Sequence, residues 1–346
     1  MAYTTIDKPS DYFNTKLYTG DASSSRDITG VGFQPDFTWI KDRDGGFSHI
    51  LGNVVSGNNK FLVSSASSAE STDSTKFRTF VSDGFQVGNH NGVNANSNNY
   101  ASWNWKANGA GVANTDGSIS STVSANTTSG FSIVSYTGNG GSTPKTVGHG
   151  LGVAPKMIII KPRNLTYDWM TYNENVGATK GMCLNTTQAP FTSSNFNDTA
   201  PTTSVFSVKN NATNETNGTY IAYCFAEKQG YSKFGSYTGN GNADGTFVYT
   251  GFKPAFVLIK KSNSNGTSWI IFDNKRLGYN GSNYTLAPDN ANDEATGDNG
   301  SIDLLSNGFK CRDTDSGANA SGDTYIYMAF AESPFVTSTG VPATAR

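Results

Sequence analysis

Apolar residues in this chain come in short runs rather than at helical spacing. Three runs share one form: Pro35-Asp-Phe-Thr-Trp-Ile-Lys41, Pro155-Lys-Met-Ile-Ile-Ile-Lys161 and Pro254-Ala-Phe-Val-Leu-Ile-Lys260. A proline cannot donate to a strand ladder, so it suits a strand's first residue. The residues after it are apolar in succession, which predicts a strand buried on both faces. A second kind of run begins at Tyr100, Tyr220 and Tyr325 and reaches an aromatic five residues later, at Trp105, Phe225 and Phe330. In the last of these, Tyr325, Tyr327 and Ala329 fall on one face and Ile326, Met328 and Phe330 on the other, again a strand covered on both sides. No window of helical length shows a 3.6-residue period with caps, so little helix is expected. The polar stretches Thr186 to Thr203 and Asn280 to Gly300 are too long for hairpin turns and predict surface loops.

These runs belong to a threefold internal repeat. Each repeat opens with Tyr-Thr-Gly, at Tyr18, Tyr136 and Tyr237, and passes through a Gly-containing turn to its proline. Each then carries a further aromatic strand, around Phe85, Phe206 and Phe309. From proline to closing tyrosine the separations are 65, 65 and 71 residues by subtraction of the residue numbers. The fold expected is all-β, three tandem β-sandwich units with long polar loops, in which Pro35, Trp39, Trp105, Pro155, Phe225, Pro254 and Phe330 mark the repeated core. The units span 1–106, 131–228 and 229–346. A Gly/Ser/Thr-rich linker or extended arm covers 107–130. The short junction between the second and third units implies that those two pack tightly and that the first is more independent.

Composition narrows the function. Charged residues make up 15% of the 346 and the formal net charge is −2, so there is no basic stripe for nucleic acid. Cys183, Cys224 and Cys311 are odd in number and far apart, which argues against a disulfide framework and against zinc. They fit folding in a reducing cytoplasm. The first ten residues hold no apolar signal region, and no run of about 18 apolar residues predicts a membrane-spanning helix.

Catalysis needs convergent titratable groups. His49, His90 and His149 have no nucleophile partner by motif, and no GxSxG occurs. The carboxylate pairs Asp42/Asp44 and Asp313/Asp315 lie in Gly-rich turns; solvated turn residues are the plain reading and a calcium loop the sharper one. No cofactor or metal is assigned. The aromatic candidates for ligand contact are Trp169 with Tyr172 and Trp269 with Asp273, which occupy matching places in the second and third repeats. Phe47 and Ile50 roughly match them in the first. Recurrence at equivalent places points to core packing, with ligand contact as the alternative.

The motifs also carry a resemblance. Asp11-Tyr-Phe-Asn-Thr-Lys-Leu-Tyr-Thr-Gly20, Gly32-Phe-Gln-Pro-Asp-Phe-Thr-Trp-Ile-Lys41, the Tyr231 to Gly239 junction and the Pro334 to Gly340 ending resemble a family of virion structural proteins from marine tailed bacteriophages. The resemblance covers nearly the whole chain. It implies small lectin-like or jelly-roll-like β-sandwich repeats on the virion exterior, made in the host cytoplasm without a signal peptide. It supplies no catalytic residues. The leading expectation is a tail fibre or adhesin that binds host surface carbohydrate, with other virion proteins and further copies of itself as partners. A capsid decoration protein is the alternative, since three repeats in one chain suit a threefold site. A polysaccharide depolymerase is the remote one. Neither nucleic acid nor membrane insertion is expected.

Overall fold

Each proline-led run becomes a buried strand: Phe37–Asp42, Met157–Pro162 and Phe252–Lys261. The first two start two residues after their proline. Pro254 lies inside the third, at a bulge opposite Ala331 where the ladder is already interrupted, which is how a strand accommodates a residue without an N–H. Each closing run also forms a strand, Asn99–Trp105, Thr219–Phe225 and Thr324–Pro334. It pairs on one side with the proline-led strand and on the other with the strand ending in Tyr-Thr: Phe13–Thr19, Phe131–Thr137 or Ser232–Thr238.

The computed structural model describes residues 2–140, 143–276, 280, 283–296 and 300–343. Over these residues the chain is all-β and the strand pairs are antiparallel. Its helical elements are single turns at Pro9–Asp11, Asn91–Asn94 and Asn211–Asn214. The largest sheets have six, eight and four strands, one to each repeat. Beside each lies a small sheet carrying Arg26–Thr29, Lys145–Gly148 or Phe247–Tyr249. Residues of the large and small sheets share one apolar cluster in each repeat, such as Tyr18, Ile40 and Tyr100 with Ile28 and Phe85 in the first. The clusters of the second and third repeats are built likewise.

The outer faces of the three closing strands meet at a fourth cluster that draws on all three repeats. Its centre is a triangle of Trp105, Phe225 and Phe330, with ring centroids 6.3, 5.7 and 6.0 Å apart. Burying a ring of this size removes enough apolar surface to contribute roughly 4–6 kcal/mol as an upper estimate. The first repeat is therefore not independent: its Trp39, Trp103 and Trp105 are as deep in the shared centre as any residue of the other two.

The stretch 107–130 is folded rather than a linker. Val112–Asn114 and Ser121–Asn126 form a hairpin that extends the eight-stranded sheet beyond Phe131–Thr137. Its Gly/Ser/Thr/Ala-rich content reads as a flexible arm, but β-branched residues such as Thr122 and Val123 suit an edge strand equally well. Ile119 and Val123 anchor it in the second cluster. In the polar stretch 186–203, Phe191–Thr192 makes a short edge strand. Positions 281–282 and 297–299 of the other stretch lie outside the described residues.

Candidate functional site

The aromatic candidates read from the sequence do not face solvent. Trp169, Tyr172, Trp269 and Asp273 are all buried, so as they stand none offers a surface to a ligand. Tyr172 packs edge-on against Phe196, and burial, reinforced by Glu174, pushes its phenol up to about 12. Trp169 and Trp269 instead join one repeat to another. The Trp169 Nε1–H donates to the carbonyls of Val63 (2.9 Å) and Ala66 (3.2 Å) in the first repeat. The Trp269 Nε1–H donates to the Cys183 carbonyl of the second repeat (3.0 Å).

The equivalent place in the first repeat is His49, directly before Ile50 as the tryptophans are before Met170 and Ile270. Its Nε2 lies 3.1 Å from the Ala287 carbonyl of the third repeat. Trp39 Nε1 donates to its Nδ1 at 2.8 Å. Nδ1 must therefore be the acceptor and Nε2 the donor, which fixes the neutral tautomer. Val63, Cys183 and Ala287 are themselves equivalent, lying across the ladder from Ile50, Met170 and Ile270 or adjoining that position. The hydrogen bonds run from first to third, third to second and second to first repeat, and so form a closed cycle.

The lysine ending each proline-led run has a structural task. Lys41, Lys161 and Lys260 are fully buried, and each ammonium is held by main-chain carbonyls. Lys41 Nζ donates to Asp42 and Gly45, Lys161 Nζ to Ser67 and Pro162, and Lys260 Nζ to Thr267. Desolvation lowers each of them to about 8.

The carboxylates of the Asp-rich turns accept main-chain amides. Asp42 takes those of Asp44 and Gly45, and Asp313 that of Asp315. No metal-ligand cluster occurs among the described residues. The three cysteines are buried, free thiols.

Among the described residues the most exposed aromatics are Phe247 and Tyr249, at 44% and 53% exposure. They flank the inward Val248 on the strand Phe247–Tyr249; the three residues are apolar in succession, so the sequence does not show which of them face out. Tyr249 stands at a cleft of about 270 Å³ lined also by Tyr3, Glu227, Gln229, Ser232, Lys233 and Thr250. The Tyr3 hydroxyl lies 3.3 Å from that of Tyr249 and donates to the Gly251 carbonyl at 2.7 Å. Burial first, then Tyr249, raises the Tyr3 phenol well above its ordinary value, so it stays a neutral donor. Lys233 Nζ donates to the Glu227 carboxylate at 2.8 Å across the cleft wall. The cleft thus offers aromatic edges, one carboxylate, one ammonium and an amide to a neutral polar ligand.

Residues 8–334 match the model of a protein family described as a domain of unknown function, DUF7483. No curated protein matches the chain.

Proposed function

The chain belongs to the DUF7483 family over residues 8–334, and from that premise we propose a non-enzymatic protein of the tailed-phage virion exterior, a tail-fibre-like adhesin that binds host surface carbohydrate. Three lectin-like β-sandwich units in tandem would be its framework, each pairing one large sheet with one small sheet. The observation that carries the reading is the cleft at Tyr249. The exposed Tyr249 ring and the half-buried Tyr3, beside a carboxylate, an amide and an ammonium, are groups that stack on and hydrogen-bond to a sugar. The motif resemblance to phage virion proteins supplies the setting. Among the residues lining the cleft Glu227 is the one carboxylate, whereas glycoside hydrolysis by the common routes uses two.

The test is binding of the full chain to an array of bacterial surface glycans, repeated with Tyr249→Ala and Phe247→Ala. Both side chains are exposed, so the variants should melt with the wild type. Loss of a bound glycan by at least tenfold in Tyr249→Ala supports the reading. Equal binding by both variants and wild type would remove the cleft from it.

The closed cycle of Trp169, Trp269 and His49 favours a second reading, a capsid decoration protein. A single chain arranged as a pseudo-trimer matches a threefold seat without needing three copies. Locating the protein on intact particles by cryo-electron microscopy separates the two: density on the tail supports the adhesin, density over the capsid the decoration protein.

A further inference from the structure

The three repeats differ at one seam, the gap between the edge of the large sheet and the edge of the small one. In the second repeat the gap is closed by the chain itself. Ser121–Asn126 pairs along Phe131–Thr137, and Ile119 bridges in parallel to Val147 of the small sheet. Ser118 and Ser121 tie the same segment to Thr146 and Gly148. In the first repeat the equivalent strands are Phe13–Thr19 and Arg26–Thr29, and no strand lies between them among the described residues; only side chains cross, Arg26 Nη1 donating to the Thr19 carbonyl and Asn14 Nδ2 to the Val31 carbonyl. A cleft of about 310 Å³ lined by residues 16–19 and 26–29 takes its place.

The edge strand there is ready for a partner. Gly20 N–H bonds to Asn98 and Lys106 N–H to Tyr12, so even-numbered residues face the closing strand. The amides and carbonyls of Thr15 and Leu17 then point outward, as alternation in an antiparallel ladder requires. Gly138 N–H to Gly218 and Ala226 N–H to Gly130 give the second repeat the same parity. Its outward residues Ile133 and Ser135 are the ones that Ser124 and Thr122 meet. The Thr15 hydroxyl is buried without a hydrogen-bond partner. Among the differences between the two edges, one sets the charge of the guest: Val134, which faces Val123, is replaced by Lys16. Lys16 makes no salt bridge among the described residues, and its charge reaches Asp83, a carboxylate held low first by the Gly30 and Gly32 amides and then by Lys16.

We propose that the seam of the first repeat is a β-augmentation site for an extended strand of another polypeptide. The strand is Ser/Thr-rich like residues 118–126 and carries an acidic residue at the Val123 position to meet Lys16. Main-chain ladder bonds would supply affinity and that side chain the register. The site is remote in sequence from the Tyr249 cleft and does not depend on the carbohydrate reading.

The test uses two labelled nine-residue peptides, residues 118–126 as they stand and the same peptide with Val123→Glu. Fluorescence anisotropy with the full chain measures binding. The glutamate peptide should bind at least fivefold tighter than its parent. Leu17→Pro deletes an outward N–H without touching the ladder to Asn99–Trp105, and should abolish binding of both. Lys16→Glu should reverse the order of the two peptides, which keeps the test decisive if Leu17→Pro fails to fold. The proposal is overturned if neither peptide binds, if binding survives in a folded Leu17→Pro, or if Lys16→Glu leaves the order unchanged.

Discussion

Where the third repeat meets the first, a charged relay crosses the contact. Trp103 Nε1 donates to Asp273 at 3.0 Å, and Arg276 joins Asp273 (2.6 Å) to Glu294 (2.9 Å). Glu294 in turn binds Arg43 of the first repeat at 2.7 Å. A shorter relay joins first to second: Asn53 Nδ2 donates to the Tyr223 hydroxyl and to Ser56, whose hydroxyl donates to Glu70, which holds Arg163 in two hydrogen bonds. At the contact of second and third the same places carry Asn173, Val176, Pro190 and Ser262, and Met328 stands where the cycle elsewhere brings Trp103 or Tyr223. The relay is gone, and the Asn173 amide nitrogen is left buried without a partner. Identical backbone seats therefore accept either a buried ionic network or an apolar contact. This is consistent with buried ion pairs contributing little net stability while being costly to break from one side.

The comparison can be broken hardest at Arg276. Arg276→Met strands the Asp273 carboxylate in the interior and should cost about 3–5 kcal/mol, read as a fall in the urea midpoint. Glu70→Gln keeps the shape of the second relay but removes its charge, and about 1–3 kcal/mol is expected from the same measurement.

His49 sharpens the comparison through pH, because Trp169 and Trp269 at its two equivalents do not titrate. Burial, with Lys41 adding to it, holds its pKa well below the usual value. The unfolded chain then takes up a proton below about pH 6.5 that the folded chain refuses, so stability is full above that pH and falls as pH drops through the interval to the folded value. The slope should be about 1.4 kcal/mol per pH unit. His49→Gln should lose that component when unfolding is followed from pH 7.5 to 5.0, while other groups still titrate. The smallest effect belongs to Asn173→Ala, which should cost about 1 kcal/mol: the amide nitrogen it removes has no partner to lose, and the oxygen gives up the Asn175 main-chain amide.

Much of the fold was legible because it is written three times. Prolines, closing tyrosines and the Tyr-Thr-Gly openings place nine long strands, and the stacked pairs Tyr18–Tyr100, Tyr136–Tyr220 and Tyr237–Tyr325, at 4.9, 4.9 and 5.1 Å, explain why those letters recur. Apolar character shows that a face is buried but not what buries it. Trp105, Phe225 and Phe330 therefore signal a core without saying that it is one core shared by three repeats. The place of His49 was hidden because an imidazole fills a tryptophan's role by the same N–H donation while sharing none of its hydropathy. Residues 107–130 were misread because small β-branched residues serve a flexible arm and an edge strand alike. The cleft at Tyr249 depends on Tyr3, 246 positions away, a juxtaposition no local pattern carries.

The triangle of Trp105, Phe225 and Phe330 has one more consequence. In an assembly of three identical chains a substitution at the axis arrives three times over, so it must be tolerable in triplicate at once. Here the axial positions are separately encoded, and one letter can change while its two counterparts stay as they are. The indole facing two phenyl rings, the imidazole among tryptophans and the zipped seam of the second repeat are variations that a strictly threefold assembly has no means to write.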